Sequence, residues 1–458
     1  MKVLLSVIAL LSLSVGFCRA QMWDEERYRS ILDSIHEPVF RKDTINITTL
    51  GAEAGNEKKL CTEQINSAIM TLSAKGGGVV LIPDGVFHTA GIILKSDVNL
   101  HISSGATLKF SSDPDDYLPN VRTRWEGVDC YNYQPFIYAY EVKNIAITGN
   151  GIIDGSAGND NWWYMKGNKK FGYVKGMPSQ GKTGRPRLME FNDEGAPVED
   201  RQFGEGFNLR PQLVNLINSK EILIEGVVFR NSPFWVIHPL FCRNLTVRGI
   251  KVISSGPNND GCDPECCDNV LIEDCEFFTG DDCIAIKSGR NNDGRKAGVP
   301  SSNIIVRNCH FAAGHGGVTI GSEISGGFEN LFAENCLFDG EDLRHAFRIK
   351  SSLIRGGTIS NVYVRGFKVL NTSRSCVDID LMYEPNEKAG TEYEPKLNNI
   401  LLSGFSVDSC NSFISIVGTG RENSISGIRV KDCTISRSEE KVIIENAPGI
   451  EMENVIFK

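Results

Sequence analysis

Long helical periods are rare in this chain, and past its first twenty residues no stretch is apolar enough to cross a bilayer. The first absence argues against a helical fold, and the second leaves no membrane span. Positive charge is also short: 48 Lys and Arg stand against 57 Asp and Glu, a formal net charge of −9. Nucleic acid is therefore not an expected partner, although local cations can still receive an acidic sugar. The cysteines lack a regular metal-ligand spacing, and no His lies beside Cys262, Cys266 and Cys267, so a zinc centre is not expected there.

What the chain has is Gly in quantity (46 residues), a modest hydrophobic fraction of 41%, and abundant Asn, Ser, Val and Ile. That composition suits many short strands joined by turns. Lys2, an apolar run from Val3 to Phe17, and Cys18-Arg19-Ala20 before Gln21 read as a secretory signal cleaved after Ala20. The run is short for a membrane anchor, and Phe17 stands where a lipoprotein signal carries a small residue. Residues 21–458 are then expected as a single exported domain, periplasmic or extracellular, whose charge becomes −11 once Lys2 and Arg19 leave.

An internal repeat organises this domain. A polar residue, usually Asn, precedes alternating aliphatics and then a small residue or Cys. Clear copies begin at Asn144, Asn244, Asn269, Asn303, Asn330, Asn361 and Asn399, and weaker ones at Glu221, Gly427 and Gly449. From Glu221 onward the intervals run from 22 to 38 residues, too short for crossover helices, so successive coils must stack as parallel strands. The expected fold is all-β, a right-handed parallel β-helix solenoid with one strand face buried and the other wet. Cys275, Cys309, Cys336 and Cys433 hold one station in the repeat and read as an internal ladder of buried thiols, with disulfides among Cys262, Cys266 and Cys267 left open. Ile65, Ala68, Ile69 and Leu72 fall at helical spacing between Thr62 and Ala74, a short N-terminal capping helix for the solenoid's open end.

One interval, Asn144 to Glu221, is out of line. Its excess, around residues 155–210, is rich in aromatic and basic residues, Trp162, Trp163, Lys166 and Arg185 among them. Insertions in solenoids collect on one face, so this one is expected to form a wall of a substrate cleft, with Trp162 and Trp163 as substrate contacts.

The polar motifs fall late in consecutive coils: Asn258-Asn259-Asp260-Gly261, Gly280-Asp281-Asp282, Gly314-His315-Gly316 and Arg348-Ile349-Lys350. Coils lie about 4.8 Å apart, so the set lines a groove on the order of 15 Å long. Stacked carboxylates cannot all ionise, so one is expected to keep a proton and serve as an acid while the others activate water. Arg348 and Lys350, flanking buried Ile349, are expected to reach solvent together.

These motifs resemble those of glycoside hydrolase family 28, the polygalacturonases, over the span from about Thr48 to the C-terminus. The resemblance implies an inverting hydrolase with no metal or cofactor, acting on an acidic pectic polysaccharide or oligosaccharide. It makes Asp281 the general acid, and it gives Asp260 and Asp282 the attacking water. His315 would tune the acid. Arg348 and Lys350 would bind the galacturonate carboxylate, and Tyr383 and Asn258 match sugar-contacting positions. Asn259 stands where Thr is commoner, a departure expected to leave the acids unaffected. The insertion and the run from Asn231 to Pro239 resemble the exo-acting bacterial branch, with His238 either lining the site or buried. A pectate lyase and a non-catalytic polysaccharide-binding solenoid are the competing readings. The pectic linkage, whether of homogalacturonan, rhamnogalacturonan or xylogalacturonan, is left open by the residues.

Overall fold

The computed structural model describes residues 22–384, 393–422 and 424–458; the leader read at residues 1–20 lies outside them. The chain winds as a right-handed parallel β-helix. Its first face runs from Thr44–Asn46 to Ile450–Phe457, and nearly all its strands pair in parallel with the coil before and the coil after.

The repeat starts adopt left-handed backbone. Asn244, Asn269, Asn303, Asn330, Asn361 and Asn399 have φ between 55° and 65°, a region most side chains avoid and Asn tolerates. Their amides then stack: Asn330 donates to Asn303 at 2.9 Å, Asn361 to Asn330 at 3.0 Å and Asn399 to Asn361 at 2.6 Å. The consequence is a fixed register. Leu245, Val270, Ile304, Leu331, Val362, Ile400, Ile428 and Ile450 are successive strand partners and point into the core.

A second left-handed corner, at Asp274, Asn308, Asn335 and Asp432, precedes the cysteine station. There Cys275, Cys309 and Cys336 donate to the carbonyls of Glu273, Arg307 and Glu334 at 3.1, 3.4 and 3.3 Å. Every cysteine in the described residues is buried and free, Cys262, Cys266 and Cys267 included, so the disulfides left open there are not formed. Phe277, Phe311 and Phe338 stack behind them, ring centroids 5.5 and 4.8 Å apart.

The helix Thr62–Ala74 buries Ile65, Ala68, Ile69 and Leu72 on the first coils and covers the open end of the core. A further helix, Glu25–Ser34, was not anticipated. It lies on the outside of the first face, with Tyr28 and Ile31 packed on Leu271, Ile305, Phe332, Tyr363 and Leu401. Those positions point outward, so the face expected to be wet is covered and apolar in these coils. Among the described residues no helix is long and apolar enough to cross a membrane.

The second face, after the cysteine corner, carries Val228–Arg230, Lys251–Ser254, Glu276–Thr279 and His310–Ala313, and the third carries Ile237–Leu240, Ile284–Ile286, Gly316–Ile320, His345–Lys350 and Thr372–Asp380, with Cys262 bridging Ile237 and Ile284. Beside it stands an antiparallel hairpin, Val121–Trp125 and Val128–Asn132. Trp125 stacks on Phe234 at 5.0 Å and donates to Arg210 O, which holds this hairpin against the insertion and the third face.

Candidate active site

The acids sit where the chain turns onto the third face. Cys262, Ile284, Val318 and Phe347 are successive strand partners, so Asp260 and Asp282, each two residues before its partner, occupy one station on adjacent coils. Gly316 holds the same station on the next coil, where a Cβ would lie 2.9 Å from Asp282 Oδ1, so only glycine leaves the carboxylate its room.

Asp260, Asp281 and Asp282 each place an oxygen within 4.8 Å of the others. Each acid has its own cation or imidazole: Asp281 Oδ1 is 2.9 Å from His315 Nδ1, Asp282 Oδ2 is 2.6 Å from Lys350 Nζ, and Asp260 Oδ2 is 3.6 Å from Lys287 Nζ. These carboxylates are the group among the described residues that could hold an ion. Two ammonium groups already supply the positive charge an ion would bring, so the donor set fits one poorly.

Crowding separates the acids, although not as expected. Burial works to raise Asp281, but His315 and Lys350 outweigh it and hold the carboxyl well below its ordinary range. For Asp282, burial is likewise outweighed, chiefly by Lys350, and the group is lowered. Asp260 is pushed well above the usual carboxylate range by burial and then by the charges of Asp263 and Asp281, and Asp263 is pushed up mainly by burial. Asp263 was not singled out from the sequence. It is fully buried and neither carboxyl oxygen has a hydrogen-bond partner.

The cations differ from expectation too. Lys350 does not reach solvent freely, being buried against Asp282. Arg348 Nε is bound to Asp378 Oδ2 at 2.8 Å, and both cations lie over the Tyr383 ring, 5.4 and 5.3 Å from its centroid. The outward strand positions that alternation identifies are here covered by acids of neighbouring coils.

The model of glycosyl hydrolases family 28 matches residues 199–454, more than half of the chain, with all three acids and His315 inside the match. The chain belongs to this family. It is 29% identical to a probable polygalacturonase of Vitis vinifera over 80% of this chain and 67% of the relative. It is 30% identical to an exo-poly-alpha-D-galacturonosidase of Dickeya chrysanthemi over 77% of this chain but only 59% of that one. Among solved structures, an exopolygalacturonase of Thermotoga maritima is 40% identical, with a TM-score of 0.90 over 94% of this chain and 96% of the other. A polygalacturonase of Erwinia carotovora, at 21% identity and a TM-score of 0.61, shares the fold.

This family 28 site lies in a pocket of about 180 Å³ lined by the three acids, Lys350, Tyr383 and Asn258. Asn258 Oδ1 accepts from Arg210 Nη2 at 2.9 Å. Asn259 is buried and ties the acid-bearing turn, accepting from Ser254 Oγ and Gly256 N and donating to Ser232 O and Phe234 O. Lys166 and Arg185 bring the insertion to the pocket wall.

Its two tryptophans do not. Trp162 is fully buried among Tyr117, Tyr133 and Phe136, so the expected substrate contact is corrected to a core role. Trp163 donates to Ser232 O at 2.9 Å and lines a separate cavity of about 780 Å³. In an aromatic pair the apolar rings find the core, and the basic neighbours remain at the pocket. His238 is buried as well, its Nε2 2.8 Å from Glu265 Oε2.

Lys287, Arg290, Glu323 and Glu126 were missed. Lys287 closes the alternating run Cys283-Ile284-Ala285-Ile286 and was legible as an outward position. Glu126 stands in the hairpin, outside the repeat, where no periodicity points to it.

Proposed function

We propose that the protein is an exported, exo-acting polygalacturonase that removes terminal galacturonate from pectic galacturonan or rhamnogalacturonan oligosaccharides with inversion. The observation that carries this reading is the pocket of about 180 Å³, in which the three acids and Lys350 are walled by Lys166 and Arg185 of the insertion. The 40% identity to an exopolygalacturonase supports exo action, and the leader read at residues 1–20 supports export.

In this mechanism Lys350, Arg348 and Tyr383 receive the substrate carboxylate and ring. The incoming anion offsets the Lys350 and Lys166 charges that now lower Asp281, so its pKa rises and it takes up a proton. Asp281 then donates that proton to the glycosidic oxygen, and the C1–O bond breaks. Asp282, kept ionised by Lys350, accepts a proton from the water that attacks C1 from the opposite face, while Asp260 orients that water.

Oxygens within 4.8 Å are closer than the roughly 6.5–9.5 Å usual between acid and base of inverting enzymes. Spacing alone would fit the roughly 5–5.5 Å of retaining pairs, so inversion here rests on the resemblance to family 28 and not on this distance. Product profiling on defined oligogalacturonides tests the reading. Monomer alone in the earliest products is expected, and a ladder of intermediate sizes would refute exo action.

A further inference from the structure

The hairpin tip forms part of the pocket wall. This tip, Glu126-Gly127, is locked onto the coil that follows Lys287: Arg290 N donates to Gly127 O at 3.0 Å, and a Cβ on Gly127 would lie 2.8 Å from Arg290. A chain of charges leads from the acids to this tip. Asp260 lies 3.6 Å from Lys287, Lys287 3.2 Å from Glu323, Glu323 3.1 Å from Arg290, and Arg290 3.4 Å from Glu126.

The two oxygens of Glu126 are not equivalent. Oε2 accepts from Arg185 Nε at 2.7 Å and from Arg290 Nη1 at 3.4 Å. Both of these bonds fall on Oε2, and the side chain, about nine-tenths buried, lines the pocket. Burial opposes its charge, yet Arg185 and Arg290 keep the group ionised. A fixed anionic acceptor in the pocket wall, beside Lys166, can take a hydroxyl donor from the ligand.

We infer that Glu126 reads the free 4-hydroxyl of the non-reducing terminal uronate. The inference rests on the exo reading above, and its chemistry is specific. In a 1,4-linked chain O4 of an interior residue is an ether oxygen without a proton, which Glu126 would repel and the hairpin tip would block. Only a terminal residue offers O4–H. The 4,5-unsaturated end left by an eliminating enzyme has lost that hydroxyl, so it leaves the buried carboxylate unpaired. Arg185 and Arg290 act as positioning residues, holding Oε2 so that Oε1 faces the sugar.

The test compares kcat/KM on trigalacturonate with a saturated end and on trigalacturonate with a 4,5-unsaturated end, for the full-length wild type and Glu126→Gln. A hydrogen bond to a charged group predicts a wild-type preference for the saturated end of about 10- to 100-fold. Glu126→Gln should lower the saturated rate by a similar factor, leave the unsaturated rate nearly unchanged and bring the ratio toward one. A wild-type ratio near one overturns the inference, even if the variant fails to fold. So does a high ratio that Glu126→Gln, folded by its thermal transition, retains. The exo reading is judged separately, by the product ladder on polygalacturonate.

Discussion

Lys350 Nζ and Asp282 Oδ2 form a 2.6 Å ion pair in which the two residues are only 6% and 1% exposed. The lysine thus serves the acid before it serves any substrate. Removing one partner of such a pair strands a buried charge, which costs about 3–5 kcal/mol. Lys350→Met is expected to lower stability by this amount in urea denaturation, and Lys350→Met with Asp282→Asn to restore most of it. Additive losses in the double variant would show that the pair is not the source.

Asp281 as the proton donor makes a kinetic prediction. Asp281→Asn should reduce kcat by about 10²- to 10⁴-fold with KM little changed. Proton NMR of the first turnovers should give the β-anomer of the released uronate, the product of inversion at an α-linkage. First release of the α-anomer would assign a retaining route to this closely spaced acid set.

The acids pull stability in opposite directions with pH. Asp281 is lowered in the fold, so its contribution is present above the ordinary aspartate pKa of about 3.9 and is lost as pH falls through its folded value. Asp260 is raised, so its penalty is absent at low pH and grows as pH rises from about 3.9 through its folded value. Asp260→Asn should therefore raise the melting temperature at pH 7 but not at pH 3, while activity falls. His315→Gln should move the Asp281 carboxyl titration upward in carbon NMR, because it removes the contact that most lowers it.

The N-terminal helix gives a prediction away from the site. Tyr28 packs on the outer face and donates to Glu334. Tyr28→Ala is expected to cost about 3–5 kcal/mol and to make residues 22–43 susceptible to limited proteolysis. Catalysis should remain unaltered at temperatures where the coils stay folded.

Much of the fold was legible because its code is local. An Asn that tolerates left-handed backbone, followed by alternating aliphatics, specifies a corner and a strand, and each coil uses its neighbour as template. The helix Glu25–Ser34 escaped because its role depends on outward Leu271, Ile305 and Phe332 lying side by side, a relation between coils that no single segment displays.

By itself the sequence determined the β-helix, the stacking order of the coils and the gathering of Asp260, Asp281, Asp282 and His315 on one surface, since residue type and spacing along a regular solenoid translate directly into position. The tertiary structure decided which groups face one another: Lys350 beside Asp282, the upward-shifted carboxyls of Asp260 and Asp263, Trp162 in the core, and Glu126 on the pocket wall. Those outcomes turn on distances between side chains of different coils and of the segments outside the repeat, where burial and charge act through space and the periodicity of the chain carries no record of them.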